Sequence, residues 1–273
     1  MSIKLLIIDP QNDFCDIAAA ALPIPGASAD LMRLADFVDQ ADDALEGITV
    51  TLDSHPTVAI ERVTFWRRNS GEPVAPFTVI TSELVQSGSV VPRDGDALVQ
   101  VSAYLQQLES QGRYQLIAWP VHCVLGTPGH NIFDPLAQRI AAWEVRRQRQ
   151  VAMVLKGMNP LTEHYSAIRA EVPRDDDPAT GWNQALVARL RPTPAEHLLV
   201  AGEASSHCVQ ATVLHLFETF SASERSRTVL LTDCMSPVPG FESNAQDFFT
   251  AIRAAGGNLA TCATALATFG RIA

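Results

Sequence analysis

Short apolar runs that stop at a polar or charged residue recur along this chain. IKLLIID stops at Asp9, GITVTLD at Asp53, YQLIAWP just before His122, VAMVLKG at Lys156, HLLVAGE at Glu203 and RTVLLTD at Asp233, and NLATCATA follows last. Apolar residues fill consecutive positions in these runs instead of alternating, which suits strands covered on both faces of a parallel sheet. Between them the spacing turns helical. Leu31, Leu34, Phe37 and Val38 follow the first run, and Val209, Val213, Leu216, Phe217 and Phe220 follow the fifth. Strands alternating with helices predict an α/β fold, doubly wound around a mainly parallel sheet with helices on both faces. Ligands bind outside the carboxyl ends of such strands, so the polar residues that end the runs are expected on one rim. Residues 62–92 carry neither period, and the 62–118 region is expected to be an insertion or lid on a single domain spanning 1–273. EVPRDDDPATGWN, residues 171–183, reads as a further loop.

Composition narrows the function. The chain has 273 residues, 47% of them apolar, which is enough for a full core. A net charge of −10 offers no basic surface for phosphates, so nucleic acid is not an expected partner. No apolar stretch approaches the roughly 18 residues that a membrane span needs. The start, MSIKLLIIDPQNDF, lacks the long apolar region and cleavage site of a signal peptide. The five cysteines are odd in number and show no C-x-x-C spacing, which fits a reducing compartment and a cytoplasmic protein.

The stretch LLVAGEASSHCVQATVLHLF, residues 198–217, places Cys208 at the junction of a strand and a helix. Unpaired N–H groups at a helix start favour a thiolate and can hold the oxyanion of a tetrahedral intermediate. Such a thiol needs a proton acceptor and charge balance, and Asp9 and Lys156 end two other runs on the same rim. An acid, a lysine and a cysteine meeting there would form a nucleophilic triad without histidine. Cys15, Cys123, Cys234 and Cys262 read as core residues. A second constellation is TLDSHPT. Asp53 and His55, two apart on an extended segment, point the same way and could bind one metal. His122 or His130 from WPVHCVLGTPGH would supply a third ligand, a set that suits zinc, iron or manganese.

Together these stretches resemble the nicotinamidase branch of the isochorismatase-like cysteine hydrolases. IIDPQNDF is similar to that family's D-x-Q-N-D-F segment and TLDSHP to its D-x-H-P segment. WPVHCVLGTPG is similar to its W-P-x-H-C-V-x-G-T-x-G signature, LKGMNPLTEHYSAI to its lysine stretch, and VAGEASSHCVQAT to its nucleophile turn. The resemblance implies a six-stranded sheet, often in homo-oligomers, acting on a small amide. It implies Asp9 as proton carrier, Lys156 as charge partner and Cys208 as nucleophile. Asp53, His55 and His122 would hold one divalent metal ion, zinc foremost, with iron or manganese as alternatives. The peptide before Ala204 would be cis, with the N–H groups of Ala204 and Cys208 as oxyanion hole, and Phe14, Trp119, Tyr165 and His207 would line the substrate pocket. Many relatives carry another histidine after the D-x-H segment. Here TVAIERVTFW has none, and Glu61 or water would fill its place. The implied reaction is hydrolysis of nicotinamide to nicotinate and ammonia. The alternatives are an amidase for a carbamoyl or ureido substrate, or a non-catalytic binding protein on the same scaffold. A nucleotide-binding α/β protein would want a glycine-rich turn after the first strand, where DPQNDF has no glycine.

Overall fold

A computed structural model describes residues 2–270 of the chain. Six strands form the main sheet: β1 (Ser2–Ile8), β2 (Leu45–Asp53), β3 (Ala152–Lys156), β4 (Glu196–Gly202), β5 (Thr228–Leu231) and β6 (Asn258–Ala260). Their order is β6-β5-β4-β1-β2-β3, and every neighbouring pair is parallel. Successive side chains of a strand point to opposite faces, so an unbroken apolar run feeds two cores. Ile3, Leu5 and Ile7 of β1 pack with Leu34 and Phe37 of the Ala27–Gln40 helix and with Ile140 of the Asp134–Arg147 helix. Leu6 and Ile8 pack in the other layer with Val209 and Val213 of the Cys208–Thr219 helix and Phe248 of the Glu242–Ala254 helix. Leu198 and Val200 of β4 face that same layer, while Leu199 and Ala201 face the first.

The winding reverses between β1 and β4, and a crevice opens at their carboxyl ends. The strands meet closely there. Gly202 pairs with Ile8, has φ +113°, and a Cβ on it would lie 2.0 Å from the Ile8 carbonyl oxygen, so only glycine fits.

The structure differs from the sequence reading in three places. YQLIAWP does not join the main sheet; Leu116–Ala118 pairs antiparallel with Thr78–Ile80 instead. VAMVLKG is an edge strand with one open face, where Met153 and Leu155 are 49% and 50% exposed. The 62–92 segment is not irregular. It holds the antiparallel strands Trp66–Arg68 and Val90–Pro92 and the Ser82–Gln86 helix, capped by Thr81. Three-residue strands are too short to show a period, which hid them. With the Leu98–Gln111 helix, this region closes a third apolar cluster around Trp66, Ile80, Leu105 and Leu116. The cluster braces a segment over the rim: Trp119 N–H donates to Glu61 O (2.8 Å), and Val63 N–H donates to Trp119 O (3.0 Å). Among the described residues no helix is long and apolar enough to cross a membrane.

Candidate active site

The residues that end the strands meet at the crevice. Asp9 follows β1 in a left-handed conformation, φ +45°, and is fully buried. The Thr51 hydroxyl, from β2, donates to its Oδ1 at 2.6 Å, and its Oδ2 lies 2.9 Å from Lys156 Nζ. Lys156 ends β3 in register with Asp53 at the end of β2. Its ammonium donates to Asp53 Oδ1 at 2.7 Å and to the His164 carbonyl at 3.1 Å, and reaches Cys208 Sγ at 3.6 Å. Cys208 opens the helix after β4. Acid, lysine and thiol thus arrive from three strands at one point.

Electrostatics there is set by exclusion of water. Burial opposes the charge on Lys156, but Asp53, Asp9 and Cys208 hold its pKa well above the ordinary value. Burial raises the Asp9 pKa; Lys156 pulls it back and Asp53 pushes it up. Burial also pushes the Cys208 thiol well up, against the pull of Lys156. Desolvation thus works against the charge that the helix start favours on the sulfur. The peptide between Glu203 and Ala204 is cis, and among the described residues neither the Ala204 nor the Cys208 N–H has a backbone acceptor.

A small cavity opens beside the sulfur. Phe14, Trp119, Tyr165, Ala204 and His207 line it together with Asp53, His55 and His122. Trp119, Tyr165 and His207 pack edge to face, with the His207 ring 5.2 Å from Trp119 and 5.3 Å from Tyr165. Burial lowers the His207 pKa to about 4, so the ring is neutral at pH 7.

At the metal constellation, Asp53 Oδ1 meets His55 Nε2 at 2.7 Å and Asp53 Oδ2 lies 3.4 Å from His122 Nε2. His130 faces elsewhere, with Nε2 against the Ser54 hydroxyl at 2.8 Å. Glu61 Oε1 lies 2.9 Å from His55 Nδ1, so it stands beside the histidines. The His55 and His122 rings flank Asp53 with their centres 6.1 Å apart. The guanidinium of Arg62 is wedged among His122, Asp53 and Glu61. Burial opposes the charge on Asp53, but His55, Lys156 and His122 hold its carboxyl well below the usual range. Burial works against His55 too, yet Asp53 raises its pKa to about 9. Burial and Arg62 take His122 down to about 4. Among the described residues, ligand atoms already within 4.8 Å of one another occur at Asp233, Cys234 and Cys262, away from this cavity. The sequence reading gave both of those cysteines to the core, and both are buried.

An Isochorismatase domain model matches residues 4–264. The chain belongs to the isochorismatase family. A nicotinamidase of Saccharomyces cerevisiae is 25% identical over 239 residues, covering 86% of this chain and 88% of that protein. The solved yeast nicotinamidase Pnc1p superposes with a TM-score of 0.63 at 20% identity, over 94% of this chain and 98% of that one. A Pyrococcus horikoshii pyrazinamidase, solved in complex with zinc, superposes with a TM-score of 0.55 at 17% identity, over 96% and 99%. These superpositions agree with the six-stranded parallel sheet.

Four residues at the site escaped the sequence reading. Gln11 clamps the Asp53 backbone, donating to its carbonyl at 2.8 Å and accepting from its N–H at 2.7 Å. That explains the glutamine of DPQNDF. Thr51, two residues before Asp53 on the same strand, was legible by that spacing. Glu163 lines the cavity as a neutral acid at pH 7, its pKa raised to about 8 by burial and by Glu61. Arg62 left no signal, since a charged pair in an aperiodic stretch reads as solvated surface.

Proposed function

We propose that this protein is a nicotinamidase that hydrolyses nicotinamide to nicotinate and ammonia through a Cys208 thioester. The observation that carries the reading is the meeting of Asp9 and Lys156 with Cys208, which lines an aromatic cavity. It agrees with the activity named for the curated relative. Asp9 takes the thiol proton as sulfur attacks the amide carbon, and Lys156 balances the charge that develops. The N–H groups of Ala204 and Cys208 receive the oxyanion. Asp9 then delivers its proton to the departing ammonia, and water cleaves the thioester. Phe14, Trp119, Tyr165 and His207 hold the ring, and such orientation supplies several kcal/mol of the barrier.

The donor set fits a divalent metal ion. Two imidazoles and a carboxylate suit zinc, iron or manganese, and the buried Glu61 Oε2 has no hydrogen-bond partner of its own. Asp53, His55 and His122 would hold the ion, which would supply a Lewis-acid contact for the pyridine nitrogen. The test is ammonia release from nicotinamide by the wild type and Cys208→Ala, with and without chelator. Loss of activity in the variant is expected; equal rates in both proteins would remove the cysteine mechanism, and unchanged kinetics after complete metal removal would remove the ion's role.

A further inference from the structure

Arg62 is the buried charge that the mechanism above does not use. Its side chain has no solvent exposure, lines the cavity, and leaves Nε and one terminal nitrogen without hydrogen-bond partners. Its other terminal nitrogen, Nη1, contacts both ring nitrogens of His122, at 3.0 Å for Nε2, and donates to the Pro120 carbonyl at 3.2 Å. Nη2 lies 3.9 Å from Asp53 Oδ2, and Nε lies 3.4 Å from Glu61 Oε1.

The histidine settles what this means. Nη1 touches both ring nitrogens of His122, so whichever of them carries the lone pair faces the guanidinium. A metal ligand must offer that lone pair, and here it accepts from Arg62. The same holds for charge: buried carboxylates need a positive partner, and the guanidinium supplies it. A divalent ion set among His122, Asp53 and Glu61 would use the atoms Arg62 now faces and would stand against a desolvated like charge. We propose that Arg62 is a resident cation of the metal pocket, so that a divalent ion binds there only as the guanidinium leaves. The inference rests on the metal reading above and adds competition within the chain. The pocket then stays paired without metal, and its metal affinity is lower than the same ligands would have without Arg62.

Cobalt(II) titration of the metal-free protein, followed by the visible absorption of the bound ion, tests this apart from activity. Arg62→Met keeps the apolar stem and removes the competitor, so Co²⁺ should bind about ten- to hundredfold tighter than in the wild type. Arg62→Lys keeps the charge without the fork that reaches His122, and a smaller rise is expected; it serves as the test if Arg62→Met does not fold. Equal or weaker binding in the folded variants overturns the proposal and makes Arg62 a structural partner of Glu61 only. A band that survives His122→Ala, or no band in any protein, instead overturns the metal reading and the competition with it.

Discussion

The two ends of the cavity are built in different ways. At the reacting end, Asp9, Lys156 and Cys208 come from the ends of β1 and β3 and from the helix after β4. Parallel hydrogen bonding fixes the register there: Ile8 sits opposite Gly202, and Asp53 opposite Lys156. At the far end, Glu61, Arg62, Trp119 and His122 come from connecting segments braced by the cluster around Trp66. Asp53 belongs to both, with one oxygen on Lys156 and His55 and the other toward His122 and Arg62. On the proposed reading the chemistry rests on strand ends, while recognition is left to connecting segments outside the sheet.

The sharpest break of that comparison is Lys156→Met. At the reacting end a loss in kcat on the order of 10³-fold or more is expected, since members of a catalytic unit fail together. Removing the ammonium also leaves Asp9 and Asp53 buried without their shared cation, a change that costs about 3–5 kcal/mol. Ammonia release and thermal denaturation read the two effects; a kcat within tenfold of wild type would show that the lysine does not organise this end. At the far end Trp119→Leu removes the ring packed edge to face on Tyr165 and His207. A loss of about 10²-fold in kcat/KM is expected, mostly in KM. A fall in kcat at constant KM would move Trp119 into the chemistry and erase the distinction.

The same contrast explains what the sequence disclosed. Asp9, Asp53, Lys156 and Cys208 were legible because each closes an apolar run or opens a helical one, and a doubly wound sheet brings such positions to one rim. The far end depends on contacts distant in sequence. YQLIAWP has the composition of a sheet strand, yet its partner is Thr78–Ile80, a choice made by the fold of the 62–118 region. Arg62 is a surface residue by every local sign, and only its pairing with His122 and Glu61 makes its burial tolerable. The same holds for the thiol: a helix start can be seen in the chain, but the loss of water around Cys208 cannot.

The smallest expected effect tests the reacting end most finely. In the proposed mechanism the working state has Asp9 as carboxylate beside a protonated thiol. Burial raises the Asp9 pKa, so activity should be lost as pH falls through a value above the ordinary carboxylate range of about 3.9. Burial also raises Cys208, so the alkaline limb should lie above the ordinary thiol value of about 8.5. The Thr51 hydroxyl, donating to Asp9 Oδ1, favours the carboxylate and lowers its pKa. Thr51→Val is nearly isosteric and removes that donor along with the hydroxyl's acceptance from the Asp9 N–H, which keeps the Thr51 carbonyl. The acid limb of kcat/KM should then move up by as much as about one pH unit, since one hydrogen bond to a charged group is worth about 1.5 kcal/mol or more. The plateau should stay within a few-fold of wild type. Glu163, with its pKa near 8, is the rival for any titration seen in that direction. Glu163→Gln should leave the acid limb in place; a limb that moves with Glu163 and ignores Thr51 would take the proton-carrying role away from Asp9.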